Sequence, residues 1–312
     1  MAHLALVIGN GFDIDVGVPS KYSDFVDSLE WDNLCKRFRG LMSSSPNYKE
    51  NSLIAHLQKV YGEKNWFDIE EEIYNFVNEN SNNDELVIAD MRNEFDAIKK
   101  ALVAYLKRVA NGVKASEDKL SWQLMHALEQ SPMTKNLIYF NYTSCYPLVG
   151  LTYHRSKAAA TFTDVHGSLK NEDIVLGCDL HQGDKVNRRL SFMYKYNMVK
   201  HSNYIVKNLM PAKEIIFFGH SVNEMDFGYF RQFFEVVSKT PDPIRYLTFI
   251  TYDEESERCI KDNIRNQGID VSGLYNNLYS ITFLHTKKMY ENDAEEQRMW
   301  SQFLLKIQTK DK

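Results

Sequence analysis

The feature that most constrains the fold is an apolar run that ends abruptly in two closely spaced glycines. Residues 3–8 read HLALVI and residues 9–11 read Gly-Asn-Gly. An uninterrupted apolar run is typical of a strand buried on both faces of a parallel sheet. Glycines directly after such a strand indicate a tight turn into a helix, where backbone amides can approach a phosphate with no side chain in the way. A tight turn that binds no ligand explains the two glycines equally well.

Strand-like runs and helical patterns alternate along the rest of the chain. From Asp24 to Gln130 the pattern is mainly helical, with one apolar stripe from Met91 to Val109. Asp253 and Asp293 are placed to cap later helices. Strand-like runs resume at 136–140, 161–165, 173–176, 213–218, 246–251 and 278–284.

This alternation predicts an α/β fold with a doubly wound, mostly parallel sheet and a large helical insertion after the first strand. We expect residues 1–23 and 131–312 to form the α/β domain. Residues 24–130 would form the helical insertion, or a cap packed on that domain.

Composition and charge narrow the classes of function. The 312 residues carry a net charge of −5 without a long basic block, which disfavours nucleic acid as a partner. Residues 184–201 mix cations with aromatic rings, a pattern that suits single-stranded nucleic acid, although a solvated face over an aromatic core is the simpler interpretation. The chain shows neither a signal-peptide pattern nor a long apolar run, so we predict a cytoplasmic protein that does not enter a membrane.

The spacing of cysteine and histidine does not indicate a metal site. The four cysteines lie far apart, none stands in a C-x-x-C arrangement, and we expect them to be reduced. Asp179 and His181 hint at a metal, but no third ligand stands in register. We therefore expect no metal.

Four short motifs resemble sirtuin motifs, and each follows a strand-like run in the same order along the chain. The loop GNGFDIDVGVP at 9–19 is similar to the sirtuin loop that wraps the pyrophosphate and a nearby ribose of NAD. It is not a dehydrogenase-type G-x-G-x-x-G, because position 14 is Ile. The other motifs resemble the sirtuin Asn-x-Asp, the His-Gly of the general base and a Gly-x-Ser that contacts ribose and phosphate. They are Asn141-Tyr142-Thr143, His166-Gly167 and Gly219-His220-Ser221.

Two departures from the sirtuin pattern argue against protein deacylation. Thr143 stands where sirtuins have Asp, and no four-cysteine zinc module is present. In sirtuins the acyl-lysine channel lies between the Rossmann domain and that module. The resemblance therefore favours hydrolysis of NAD, or nucleotide sensing without turnover.

The residues within and around these motifs are more similar to one particular protein family than to sirtuins. The segments IGNGFD, KYSDF, WFDIEEEI, FNYT, HGS and GHSVNEMD together resemble the AbiH family of bacterial abortive-infection proteins, from Val7 to about Asp226. Membership implies a role in phage defence. The sirtuin-like (DHS-like) Rossmann fold behind the family implies a nucleotide ligand, above all NAD as substrate or bound ligand.

Asn141 and His166 are the predicted catalytic residues. The Asn141 amide can bind ribose hydroxyls or place an attacking water, and the His166 imidazole can take a proton at neutral pH. The structural alternatives are a turn residue for Asn141 and a histidine tied to a backbone carbonyl for His166. The predicted nucleotide-binding residues are Gly9, Asn10, Gly11, Phe12, Asp13, Gly17, Tyr142, Thr143, Gly167, Gly219, His220, Ser221 and Asp226.

Four acidic residues near these motifs have open roles. Asp13 would repel a pyrophosphate, so it caps a loop, grips ribose hydroxyls or pairs with a base. Asp226 either caps a helix or contacts ribose. Asp68 and Glu70 could reach over the pocket, although a solvated acidic first helical turn is the simpler account.

The sequence predicts an anti-phage protein that binds NAD or a related nucleotide and hydrolyses its nicotinamide glycosidic bond. The alternative is a non-catalytic nucleotide sensor or interaction protein of a defence system. A phage-derived trigger and an oligomeric state are both compatible with either function.

Overall fold

In a computed structural model of the chain, the structure describes residues 3–44, 51–63, 68–80, 85–152, 159–180, 184–198 and 202–309. Six strands form one sheet in the order β3-β2-β1-β4-β5-β6, and every neighbouring pair is parallel. The strands are β1 (His3–Ile8), β2 (Thr134–Tyr139), β3 (Ala160–Asp164), β4 (Glu214–Phe218), β5 (Asp242–Thr251) and β6 (Leu278–His285).

Helices flank this sheet and fill the long interval between β1 and β2. None of the described helices is both long and apolar enough to cross a membrane. Asp253 and Asp293 accept backbone N–H groups at the starts of α12 and α15, which confirms both predicted caps. The helices are α1 (Asn10–Val16), α2 (Tyr22–Val26), α3 (Leu29–Ser44), α4 (Leu53–Glu63), α5 (Ile69–Glu79), α6 (Glu85–Ala110), α7 (Leu120–Gln130), α8 (Cys145–Leu148), α9 (Ser202–Leu209), α10 (Glu224–Phe227), α11 (Arg231–Lys239), α12 (Glu254–Asn266), α13 (Val271–Asn277), α14 (Thr286–Tyr290) and α15 (Ala294–Gln308).

The strand order confirms the predicted doubly wound α/β fold. The chain runs outward from β1 through β2 to β3, then returns to the other side of β1 and runs outward again through β4, β5 and β6. The order therefore reverses between β1 and β4, and ligands of open α/β sheets bind beyond the carboxyl ends of the strands at such a point. Both strands are buried along their length except at His3, as their continuous apolar sequences predict.

One predicted strand is wrong. Residues 173–176 (DIVL) have extended backbone outside any strand, although Ile174, Val175 and Leu176 are buried. The Val175 N–H donates to the His166 carbonyl at 2.7 Å, and the segment leads into an isolated bridge between Cys178 and Tyr194. The run is apolar because it is buried, but no neighbouring strand continues a ladder beside it.

The chain divides into two compact units. The first contains the sheet and comprises residues 1–18, 112–165 and 201–312, and the second comprises 19–111 and 166–200. The predicted domains, 1–23 with 131–312 and 24–130, group residues 19–23, 112–130 and 166–200 differently. They remain a prediction, because a compact unit is not by itself a domain that folds independently.

Candidate functional site

The two glycines after β1 allow a close backbone contact with the end of β4. A Cβ atom at Gly9 would lie 2.5 Å from the Gly219 carbonyl oxygen, and one at Gly11 would lie 2.6 Å from the Gly219 Cα. The contact is reciprocal, because a Cβ at Gly219 would lie 2.4 Å from the Gly11 Cα. Gly219 also has a φ of 62°, which disfavours any side chain. All three positions therefore require glycine for packing.

In the same contact, the backbone amides that the sequence suggested as donors to a phosphate already donate to backbone carbonyls. The Gly9 N–H donates to the Phe218 carbonyl at 2.9 Å, and the Gly11 N–H donates to the Gly219 carbonyl at 3.0 Å. Gly17 ends α1 in the left-handed region with a φ of 102°. The expectation that bare amides of Gly9 and Gly11 face a diphosphate is therefore wrong, because both amides donate to carbonyl groups at the end of β4.

A buried carboxylate follows the glycines. Asp13 lies in α1, and its side chain is only 2 % exposed. The Thr143 hydroxyl, which comes from the loop after β2, donates to Asp13 Oδ2 at 2.5 Å. Burial raises the pKa of Asp13 to about 6, while the Thr143 hydroxyl and, to a smaller extent, the nearby Asn141 amide lower it. The adjacency of β1 and β2 thus brings two other predicted site residues, Asn141 and Thr143, to the Asp13 carboxyl group.

Asn141 is buried beside this carboxylate with its amide atoms unsatisfied. Its side chain is close enough to favour the charged form of Asp13. Among the described residues neither amide atom of Asn141 has a hydrogen-bond partner, and neither has Asp13 Oδ1. The turn-residue alternative for Asn141 is not supported, because its side chain does not bond the described backbone.

A second polar pair lies after β4. His220 Nδ1 accepts the Val222 N–H at 2.9 Å, so the neutral imidazole carries its proton on Nε2. Nε2 lies 3.6 Å from Asp226 Oδ2. The helix that contains Asp226 is capped by Asn223, whose side chain accepts the Asp226 N–H at 3.0 Å. The capping role predicted for Asp226 is therefore wrong.

The surroundings of His220 are apolar and strained. The imidazole contacts the Phe140 ring edge-to-face at 4.3 Å between centroids and the Phe230 ring at 5.2 Å. Val222 is buried and has a φ of 50°, a conformation that a β-branched residue rarely adopts and that costs about 1–3 kcal/mol. Such strain persists only where the neighbouring contacts fix the backbone, and it is commonest at functional sites.

The other predicted site residues of the sheet unit differ in exposure. Phe12 is buried and packs against Phe218 at 5.3 Å, so its ring belongs to the core. Tyr142 is half-buried, while Asn10 and Ser221 are exposed. Exposure leaves the last two accessible to a ligand, whereas Phe12 contributes packing.

His166 and Gly167 belong to the second unit. His166 is 4 % exposed, and its carbonyl accepts the Val175 N–H. Gly167 has a φ of 74°, and a Cβ there would lie 2.2 Å from the Asp173 carbonyl oxygen. A tight turn therefore fixes the backbone at this motif, and the catalytic role of His166 stays a prediction.

The second unit also contains an ion pair that the sequence did not reveal. Lys195 Nζ donates to Glu70 Oε2 at 2.8 Å, and both side chains are buried. Asp68 caps α5 by accepting the Glu70 N–H. The solvated first turn suggested for Glu70 is therefore wrong. The one hint of this pair in the sequence was a lysine within the aromatic run 192–196. The two residues are 125 positions apart, so no local sequence pattern indicates that they pair.

No cluster of three or more metal-ligating side chains occurs in the part of the chain that the structure describes. Asp179 is described, but His181 lies outside the described residues. The described cysteines are free thiols, and Cys259 is the exposed one among them.

Comparison with known proteins agrees with the motifs. The family described as "Bacteriophage abortive infection AbiH" matches residues 5–246, which is most of the chain and includes the glycine turn, Asn141, His166 and the β4 loop. No curated protein matches the chain significantly. The chain therefore belongs to the AbiH family of bacteriophage abortive-infection proteins.

Proposed function

We propose that this AbiH protein acts in phage defence by binding NAD or a related nucleotide at the carboxyl ends of β1, β2 and β4. One observation carries the proposal: Asp13 Oδ1 and both amide atoms of Asn141 are buried without partners among the described residues. Unsatisfied buried polar atoms are rare in proteins, because each costs about 1–3 kcal/mol. A polar ligand at the point where the strand order reverses would satisfy them.

The same residues suit cleavage of the nicotinamide glycosidic bond. That reaction passes through an oxocarbenium-like sugar, so a site must stabilise positive charge and orient a water. The Asp13 carboxylate supplies negative charge in a buried environment, and the Asn141 amide can orient a water molecule. The phosphates would bind donors other than the Gly9 and Gly11 amides, since those donate to the backbone of β4.

Nicotinamide release by the purified protein tests the catalytic proposal. We expect Asn141→Ala to reduce turnover by about 100-fold or more, as the loss of a group that acts on the transition state does. Asn266→Ala, at an exposed position of α12, is the matched control and should keep full activity. Full activity of Asn141→Ala would remove that residue from the mechanism. His166→Ala tests the predicted proton acceptor in the same way.

The sensor alternative gives a different result in the same experiment. Thr143 donates its hydroxyl to Asp13 and stands where the sirtuin pattern has Asp, a departure that favours binding over turnover. Thermal stabilisation by NAD without nicotinamide release, even when phage lysate is added, would identify a sensor. Absence of both effects would refute a nucleotide ligand. Phage plating on cells that express each variant connects the result to defence.

A further inference from the structure

The two oxygens of the Asp13 carboxylate have different environments. Oδ2 accepts the Thr143 hydroxyl at 2.5 Å, whereas Oδ1 has no partner among the described residues. The neighbouring Asn141 presents one amide nitrogen, which carries two N–H donors, and one acceptor oxygen, and both atoms are buried and also without described partners. The residues thus place two acceptor oxygens and one donor nitrogen close together in a buried location.

This set of atoms defines the ligand chemistry. Two acceptor oxygens and a donor nitrogen match a pair of adjacent hydroxyl groups, since each hydroxyl can donate one hydrogen bond and accept others. A phosphate does not match, because it would be repelled by the ionised Asp13. A lone carbonyl does not match either, because it offers no donor to Asp13 Oδ1.

We propose that Asp13 and Asn141 bind the vicinal diol of a ribose, with Asp13 Oδ1 accepting one hydroxyl and the Asn141 amide binding the other. The proposal rests on the nucleotide-binding function above and names the part of the nucleotide that this site recognises. Thr143 is a positioning residue, because its bond to Oδ2 leaves Oδ1 as the oxygen that faces the ligand. The ionised form of Asp13 is the acceptor, so binding strengthens as the carboxyl loses its proton.

Calorimetric titration with NAD and with two analogues, each lacking the 2′-hydroxyl of one ribose, tests the proposal. We expect one analogue to bind about 10- to 100-fold more weakly than NAD, the usual effect of losing a hydrogen bond to a charged group. Equal affinity of all three compounds would overturn the diol proposal and leave nucleotide binding intact. No binding of NAD would overturn the nucleotide proposal instead.

Smaller probes test the diol independently of NAD. Saturation-transfer NMR with ribose 5-phosphate and 2-deoxyribose 5-phosphate should show contact with the first compound only. Equal signals, or no signal from either, would contradict recognition of the diol. This comparison applies whether or not the complete dinucleotide binds.

Variants assign the effect to the named residues. Asp13→Asn keeps the shape of the side chain and should remove the preference for NAD over the weaker analogue. It should also abolish the rise in affinity between about pH 5 and pH 7.5 that the wild-type protein shows as Asp13 ionises. Thr143→Val should weaken binding, while Thr143→Ser retains the donor and should bind nearly as the wild type does. A preserved preference in Asp13→Asn would exclude Asp13 from the diol site.

Discussion

Burial of the Asp13 carboxylate reduces the stability of the folded protein, and packing around the side chain does not offset that loss. Burying a carboxylate disfavours its charged form, and at neutral pH the folded protein holds that charge with the Thr143 hydroxyl bonded to Oδ2 and the Asn141 amide nearby. Residues that reduce stability in this way are commonest where function requires them. The buried carboxylate is therefore better explained by a ligand than by the fold.

The pH dependence of stability should show this cost. Because the folded protein holds the Asp13 proton more tightly than the unfolded chain does, this group lowers the free energy of unfolding as pH rises from about 4 to about 6. Asp13→Asn lacks that loss, so its stability relative to the wild type should increase by about 2 kcal/mol between pH 4.5 and pH 7.5. Urea denaturation of both proteins at the two pH values measures the difference. A constant difference would contradict the raised pKa.

The pairing of Asp13 with Thr143 was beyond the reach of the sequence. The motifs singled out both residues, because each follows a buried strand. Their contact depends on β2 lying directly beside β1, and 130 positions separate them. Thr143, which stands where the sirtuin pattern has Asp, donates its hydroxyl to the Asp13 carboxylate.

At the scale of elements, the glycine turn allows the start of α1 to pack closely against the sheet. Gly9 and Gly11 bring the start of α1 into contact with the end of β4, and Gly17 ends the helix. The first two are limited by space, and the third is limited by its backbone conformation. The three glycines of one motif thus have two different physical causes.

Alanine substitutions should separate these causes. Gly17→Ala places a Cβ in open space at a φ of 102° and should cost about 1–2 kcal/mol. Gly9→Ala places a Cβ 2.5 Å from a backbone oxygen and should cost more than that, because the backbone of β4 must move. Thermal unfolding of both variants measures the order. Equal losses would contradict the close contact.

The buried Lys195–Glu70 pair gives a further prediction at this scale. Glu70→Gln leaves the Lys195 charge buried without its partner and should reduce stability by about 3–5 kcal/mol. The double variant Glu70→Leu with Lys195→Met removes both charges and should recover most of that loss. A double-mutant cycle in guanidinium chloride provides the measurement. A double variant as unstable as Glu70→Gln would show that the pair itself stabilises the unit.

Apolar runs predicted the strands well and failed once for a clear reason. Six of the seven runs became strands, because each lies beside another strand in the sheet. The run at 173–176 is also buried, and the Val175 N–H donates to the His166 carbonyl, but the run belongs to none of the strands in the described residues. Periodicity reports burial, and a strand additionally needs a neighbour that the local sequence does not specify.

At the scale of the whole molecule, the family match ends inside the sheet. It reaches residue 246, whereas β5 extends to Thr251 and β6 follows at 278–285. The residues beyond the match therefore complete one side of the sheet that holds the candidate site. The alternation of strands and helices indicates a doubly wound parallel sheet, which is why the fold class was predictable, whereas the order of the strands comes from the structure.

A truncated chain should test this dependence. Removing residues 241–312 deletes β5 and β6 and exposes the apolar edge of β4, whose residues are all buried in the complete chain. We expect the truncated protein to aggregate or to lack a cooperative thermal transition, as followed by circular dichroism. A soluble product with a sharp transition would show that four strands suffice.

The paired hydrogen bonds from Gly9 and Gly11 to the β4 backbone have a consequence for recognition. These hydrogen bonds join the start of α1 to residues 218 and 219. We therefore expect the distance between Asp13 and His220 to stay constant when the surrounding loops move. A ligand that contacts one of these two side chains would not have to reposition the other. Binding of a ligand would then cost little conformational entropy of the protein. The fixed backbone, rather than a rearrangement on binding, would determine which ligand shapes fit.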